Sequence, residues 1–505
     1  MKRLFASLAS LALTAGTLAA QAPRPVGPVT DAAATITASD VAERVGVIAH
    51  DSMLGRDTPS RGLELTARYV ADEFRRFGLR PGGDDGGWFQ RYPITRRRLD
   101  LGASRVVLKA GGVSVTAPFD RSARVVGGDV PRAPVSGPAV LVGGAVTPDA
   151  VARMQLRDKV VLYVHDYSRA IPAHATQVAR AIRLSRPKAI VAISNTDSAA
   201  FAARLPRRAP ERYGLDLGLA SPPSVEVHET AVAPVLRAAR VDLAEVRRSP
   251  GPVARDIPAI TATVSLVETV TDSAAAPNTI GIVEGSDPVL KNEYVVFSAH
   301  MDHVGISPGA TDSINNGADD NASGTAGVIE LAEAFSRPGA RPRRSVMLMT
   351  VSGEEKGLWG SQYFSEHPTV PPEQLVANIN LDMLGRNWAD TIVAIGKEHS
   401  DLGATLERVN AAHPELRMAA IDDRWPEERF YFRSDHYNFA RKGIPALFFF
   451  NGVHQDYHRV TDSPDKINSE KESRILKLLY YLGLEIGNAP QRPAWDPHSR
   501  RLIVE

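Results

Sequence analysis

The chain has 505 residues, no cysteine and a formal net charge of +1, with 43% hydrophobic and 23% charged residues. That is the composition of a soluble globular protein of two or three domains, with length enough for a real core. Near-neutral charge excludes a broad basic surface for nucleic acid or anionic membrane, and the absence of cysteine excludes disulfides, thiol nucleophiles, thiolate ligands and a cysteine-borne lipid anchor.

M-K-R followed by L-F-A-S-L-A-S-L-A-L-T-A-G-T-L-A-A has the charged start, apolar stretch and small-residue end of a secretory signal over residues 1–22, with cleavage expected between Ala19 and Ala22. A proline-bearing linker runs on to residue 37. No later stretch is long and apolar enough to span a bilayer, so the expected location is periplasmic or extracellular.

Leu63, Ala67, Val70, Ala71, Phe74 and Phe77 recur at helical spacing, and Gly78 supplies a stop. G-L-R-P-G-G-D-D-G-G (78–87) reads as a loop and W-F-Q-R-Y-P-I as a strand, within residues 38–124, the N-terminal part of the main domain. Arg96-Arg97-Arg98 and the R-P-R-R of Arg341–Arg344 read as solvated loops. Residues 125–250 change texture: V-S-G-P-A-V-L-V-G-G, V-V-L-Y-V and A-I-V-A-I-S-N are short β-rich runs around a helical segment, Ala175–Leu184. This reads as a smaller inserted domain without a dense set of convergent polar residues.

From 257 to 489 apolar strands alternate with helices: strands at Tyr294–Ala299, Val346–Val351, Val376–Leu381 and Ile444–Phe450, and a helix Ser323–Phe335 with Ser323 as N-cap. The fold class is therefore α/β: a central, mostly parallel mixed sheet flanked by helices, with the β-rich domain inserted. Residues 490–505 form a tail.

The residues just beyond each strand carry the chemistry. Y-V-V-F-S-A leads into His300, Asp302 and His303; a Gly- and Asn-rich loop leads to Asp319 and Asp320; V-M-L-M-T-V leads to Glu354 and Glu355; V-A-N-I-N-L leads to Asp382; and I-P-A-L-F-F-F-N leads to His454, Asp456, Tyr457 and His458. Loops at the carboxyl ends of strands in an open α/β sheet converge on one crevice. Histidines and carboxylates gathered there, with no thiol, suit zinc or another divalent metal bound through nitrogen and oxygen. Such sites commonly hold two metals bridged by one carboxylate, and the doubled glutamates then divide the labour between ligand and base.

The ordered motifs N-T-I-G-I-V-E-G, A-H-M-D-H-V-G, G-A-D-D-N-A-S-G, G-E-E-K-G-L-W-G-S, N-L-D-M-L-G and Y-H-R-V-T-D resemble metallopeptidase family 28, the zinc aminopeptidase-like peptidases. S-D-H-Y-N-F-A-R-K-G-I-P-A and the early D-S-M-L-G-R-D-T-P-S-R-G share the resemblance. It implies two divalent ions, of zinc: His300 and Asp382 on one, Glu355 and His458 on the other, and Asp320, four positions before Gly324, bridging them. It further implies Glu354 as general base, Asp302 as the partner that holds the His300 ring, and Tyr457 as an oxyanion donor. Alignment on Gly324 favours Asp320 over Asp319 as the bridge. His303 and His436 read as hydrogen-bonded structural residues, His454 stays open between substrate contact and none, and His367, His399 and His413 read as surface residues. The inserted region is similar to a protease-associated domain.

The implied function is that of an exported metallopeptidase that removes N-terminal residues from peptides through a metal-bound hydroxide. Carboxypeptidase or dipeptidase action, a glutaminyl cyclase-like transfer and a non-catalytic receptor-like ectodomain are the alternatives. The partner is a peptide substrate, with no nucleic acid and no stable membrane span; oligomeric state is left open.

Overall fold

Two separated stretches, Met1–Gln90 and Pro277–Glu505, form one compact unit, and Arg91–Ala276 forms the other. The computed structural model describes residues 32–166, 173–205, 211–215, 217, 221–309 and 311–504. The signal segment and the first part of the linker lie outside them.

In the first unit the strands Tyr294–His300, Ser345–Val351, Leu375–Asp382 and Ala446–Phe450 are parallel and adjacent. Antiparallel neighbours close both sides: residues 279–283 beside Ser345–Val351, and Thr391–Ile395 beside Ala446–Phe450. The four central strands are buried along their whole length, which is why they read as continuous apolar runs rather than alternating ones. Helices Ala38–Ile48, Gly324–Ser336 and Ser469–Asn488 contribute buried faces to one apolar core with the sheet. Approach is close at Gly483, where an added Cβ would lie 2.7 Å from the rings of Phe297 and Phe335. Glycine is required there by space.

The expected first helix is Arg61–Arg76, capped by Ser60, whose hydroxyl accepts the Leu63 N–H at 3.1 Å. Gly78, at φ +76°, ends it as anticipated. The helix expected from Ser323 runs Gly324–Ser336, but Ser323 does not cap it: its hydroxyl donates to the Asp319 carbonyl at 2.8 Å and accepts the Leu384 N–H at 3.1 Å. The tail contains a helix, Pro497–Ile503, and Trp495 pins it by donating to the Gly443 carbonyl at 2.9 Å.

The second unit is built on an eight-stranded sheet. Val135–Gly144, Val160–Val164, Ala189–Ser194 and Ser224–His228 are parallel, and Pro252–Ser265 pairs antiparallel with both Val135–Gly144 and Arg105–Ala110. The unit is larger than residues 125–250 because the hairpin Arg105–Ala110/Val113–Pro118 joins this sheet. Five helices among its described residues make it mixed α/β as well as strand-rich. Two readings of basic clusters are corrected. Arg96–Arg98 belongs to the strand Phe89–Leu99. Arg344 is only 1% exposed and donates to Glu293 and to the carbonyls of Ile486 and Ala489.

Candidate metal centre

Because the four central strands are parallel, their carboxyl ends share one edge. His300 is the last residue of its strand and Asp382 the last of its own. His300 Nε2 lies 3.3 Å from Asp382 Oδ1 and 3.4 Å from Asp320 Oδ1. Asp320 Oδ2 faces the other way, 3.1 Å from His458 Nε2, which is also 3.1 Å from Glu355 Oε2. Donors about 2.0–2.1 Å from a tetrahedral ion stand roughly 3.3 Å apart, so each cluster has the spacing of such a shell. The five residues expected as ligands therefore come together, and Asp320 offers one oxygen to each side.

His303 enters the second group as well. Its Nδ1 is 3.0 Å from Glu355 Oε1 and 3.8 Å from Asp320 Oδ2, so the hydrogen bond expected of it is made to a ligand carboxylate. Two donor groups result, His300–Asp320–Asp382 and His303–Asp320–Glu355, sharing Asp320. Asp320 Oδ2 is buried and makes no hydrogen bond. A buried carboxylate oxygen left this way is costly, and a divalent cation held by nitrogen and oxygen donors removes that cost. The residues present fit the group.

The loops keep the ligands in place. Asp462 accepts the N–H groups of both Asp319 and Asp320, fixing the turn Ala318–Ser323. Asp319 points elsewhere: Oδ1 accepts the Gly385 N–H at 2.6 Å, and Oδ2 lies 3.2 Å from His454 Nε2. His454 Nδ1 accepts the Asp456 N–H, which leaves the proton on Nε2 for Asp319. His454, its side chain 4% exposed, thus lies between the two loops against Asp319. Asp382 Oδ2 accepts from the Ser434 hydroxyl at 3.0 Å. A buried chain continues behind it: Asn380 donates to Ser434, Ser298 to Asn380 and Asn378 to Ser298. This chain occupies Oδ2 and turns Oδ1 towards His300.

Asp302 differs from expectation in detail. His300 Nδ1 is 3.2 Å from the Asp302 main-chain carbonyl and 3.8 Å from its carboxylate, whose Oδ1 accepts the Glu354 N–H at 3.2 Å. Burial, reinforced by Glu355 and Asp435 against the pull of His300, pushes the Asp302 carboxyl up to about 7.

The neighbouring glutamates titrate in opposite directions. Burial raises the Glu354 carboxyl well above its usual range; Asp435, Asp382 and Glu355 add to this and His300 opposes it. Burial also works to raise Glu355, but hydrogen bonds from His303 and His458 hold it far below. Burial disfavours the His458 imidazolium, yet Asp320 and Glu355 outweigh it and bring the ring to about 10. Tyr457 stacks on His458 with ring centroids 3.8 Å apart. Burial and the four carboxylates Asp320, Glu355, Asp382 and Glu354 keep its hydroxyl protonated.

Of the other histidines, His436 is fully buried and stacks on Phe448. Burial explains its imidazole being lowered to about 3. A hydrogen bond with the Tyr431 main chain works against that burial. His367 is exposed, whereas His399 and His413 are half-buried against Tyr431 and Tyr481 and are not free surface residues. Ser434, Asp435 and Arg56 stand in quoted motifs that carried no assigned role for them. Asn378 and Asn380 left a readable signal, as amides interrupting an otherwise apolar buried strand.

Two His/Asp/Glu groups that share Asp320 and could hold divalent metal stand at the edge of a mostly parallel sheet. Residues 278–483 match the family model of peptidase family M28. The leupeptin-inactivating enzyme 1 of Streptomyces exfoliatus is 34% identical over 121 residues, 24% of this chain and 25% of that protein. A probable leucine aminopeptidase of Arthroderma otae is 27% identical over 211 residues, 40% of this chain and 56% of that one. The chain thus spans a quarter to just over half the length of these relatives. The solved aminopeptidase from Aneurinibacillus sp. strain AM-1 aligns over 92% of this chain and 97% of its own, at 20% identity and a TM-score of 0.48.

Proposed function

We propose that this chain is an exported metallopeptidase that holds two zinc ions and removes N-terminal residues from peptides. The observation that carries the reading is Asp320, whose two oxygens each face a different donor group. His300 and Asp382 would complete one ion's protein ligands, and Glu355 and His458 the other's, with His303 beside Glu355. Ions held there lower the pKa of a water and polarise a peptide carbonyl. Glu354 accepts the proton of the attacking water and returns it to the leaving amine, the work of a carboxyl that burial has made more basic than usual. Glu355 stays ionised beside it. The Tyr457 hydroxyl, held protonated, donates to the oxygen on which charge develops. The amino-terminal preference is supported by the leucine aminopeptidase among the relatives, and export by the signal-like N-terminus. No described helix is long and apolar enough to cross a membrane. Residues 125–250, within the second unit, are read as the protease-associated-like insertion.

The test is hydrolysis of a matched peptide panel with free and acetylated N-termini by zinc-loaded protein, beside a chelator-treated control. Chelator-sensitive cleavage of free-amine peptides alone is expected. Equal cleavage of blocked peptides moves the assignment to a carboxypeptidase or endopeptidase, and no cleavage of either sinks the peptidase reading.

A further inference from the structure

The early motif D-S-M-L-G-R-D places an arginine, Arg56, at 0% exposure. Burying a guanidinium is expensive unless its donors are met. Here they are met by main-chain carbonyls: Nε donates to Met301 at 2.9 Å, Nη1 to Ile48 at 2.9 Å and Asn316 at 2.5 Å, and Nη2 to Gly317 at 2.9 Å. Met301 lies between His300 and Asp302. Asn316 and Gly317 lead directly into the turn that presents Asp320. One planar fork therefore joins the segment carrying the first histidine ligand to the segment carrying the bridging carboxylate.

The surrounding backbone closes the same junction. The Arg56 carbonyl accepts the His303 N–H at 3.3 Å, the Gly55 carbonyl accepts the Gly305 N–H at 3.0 Å, and the Gly305 carbonyl accepts the Asn315 N–H at 3.0 Å. Leu54, Gly55 and Arg56 are all left-handed, at φ 53°, 66° and 52°. A Cβ on Gly55 would stand 2.5 Å from the Gly305 carbonyl oxygen. Three successive left-handed residues, two of them not glycine, are sparsely populated backbone that persists only where the surroundings enforce it. Asn316 adds an outer tether, donating through Nδ2 to the Ala49 carbonyl and to Asp51, both at 2.8 Å.

We propose that Arg56 is a positioning residue of the metal centre, a buried clamp that fixes the spacing between His300 and Asp320 and thereby the affinity of the site for divalent metal. The inference rests on the two-metal reading above. It demands arginine in particular: a lysine keeps the charge but lacks the rigid multi-donor fork that reaches three segments at once.

The test titrates stripped, full-length protein with Zn²⁺ against a chromophoric chelator, for the wild type, Arg56→Lys, Arg56→Met and Asn316→Ala. Expected is a loss of zinc affinity of about 10- to 100-fold in both Arg56 variants, the range for partners that orient metal ligands, and a smaller loss in Asn316→Ala. Arg56→Lys with wild-type affinity overturns the clamp, and so does a tightened Arg56→Met, which would show that only charge matters. A lowered melting temperature of the stripped variants with zinc affinity unchanged overturns it too, because the residue would then be merely structural. Should the Arg56 variants fail to fold, Asn316→Ala decides: unchanged affinity counts against the clamp and a measurable loss supports it. Wild-type protein that takes up no zinc removes the two-metal reading itself, whereas tight wild-type binding matched by Arg56→Lys removes the clamp alone.

Discussion

Each unit of this molecule contains four adjacent parallel strands, and each set ends in polar loops, yet the two edges have opposite hydrogen-bond economies. In the second unit, Val160–Val164 is followed by His165 and Asp166, Ala189–Ser194 by Asn195 and Thr196, and Ser224–His228 ends on a histidine. Asn195, Asp166 and His228 are partnered among these: Asn195 donates to Asp166 at 2.8 Å, and His228 meets the Thr196 carbonyl at 2.8 Å and the Thr230 hydroxyl at 2.7 Å. In the first unit the corresponding edge leaves Asp320 Oδ2, Asp302 Oδ2 and His303 Nε2 buried without hydrogen bonds. The edge of a parallel sheet supplies a location. Donors left unsatisfied there, and spaced for a shared cation, supply the chemistry.

Substitutions can break that contrast. Asp320→Ala removes the oxygen pair common to both groups and should bring peptide hydrolysis to background with loss of bound zinc, measured by elemental analysis of dialysed protein. Glu354→Gln should lower kcat by about 10²–10⁴-fold with zinc content nearly intact; parallel loss of metal would make Glu354 a ligand rather than a base. Ser434→Ala frees Asp382 Oδ2 and should weaken zinc by about 10-fold or more, with little change in kcat once the protein is saturated.

Glu472 sharpens the contrast from another side. Both its carboxyl oxygens are buried without hydrogen bonds, but no shared-donor group includes it. Burial, with Asp319 adding and Lys471 opposing, pushes it up to about 8. The folded state then binds a proton that the unfolded chain has released above about 4.3. Stability should therefore fall as pH rises from about 4.3 to 8, by up to about 1.4 kcal/mol per unit. Glu472→Gln should flatten melting curves collected across pH 5–8, and an unchanged slope would show that the carboxyl ionises normally. Asn195→Ala, at the satisfied edge of the other unit, should leave zinc content and hydrolysis unchanged; a drop in either would erase the distinction between the edges.

Much of the first unit was legible because its signals are local. Four buried strands announced themselves as apolar runs, and each ligand stood within a few residues of a strand end or a glycine-rich turn. The features that stayed hidden depend on distant pairing. Arg344 reads as one more charge in R-P-R-R, and only the Ile486 and Ala489 carbonyls make it a buried residue. Arg96–Arg98 reads as a charged loop until Glu211 and the strand Glu211–Leu215 are set against it. Residues 105–118 joined the second sheet through a register with 261–265 that no local pattern announces. In the centre itself, residue types were readable while contacts were not. Asp302 kept its place but gave its carboxylate to the Glu354 N–H, and Asp319 turned to His454.

The clamp at Arg56 imposes an order on assembly. Its acceptors at Met301, Asn316 and Gly317 lie beyond the whole of residues 91–276 in the chain. During synthesis from the N-terminus this guanidinium emerges early and stays hydrated until the far segment arrives. Closing so long a loop costs entropy that grows only logarithmically with its length, and compaction of the intervening unit shortens the span to be searched. A chain truncated before residue 301 keeps the arginine and lacks every carbonyl but that of Ile48, so the two stretches of the first unit can mature only together.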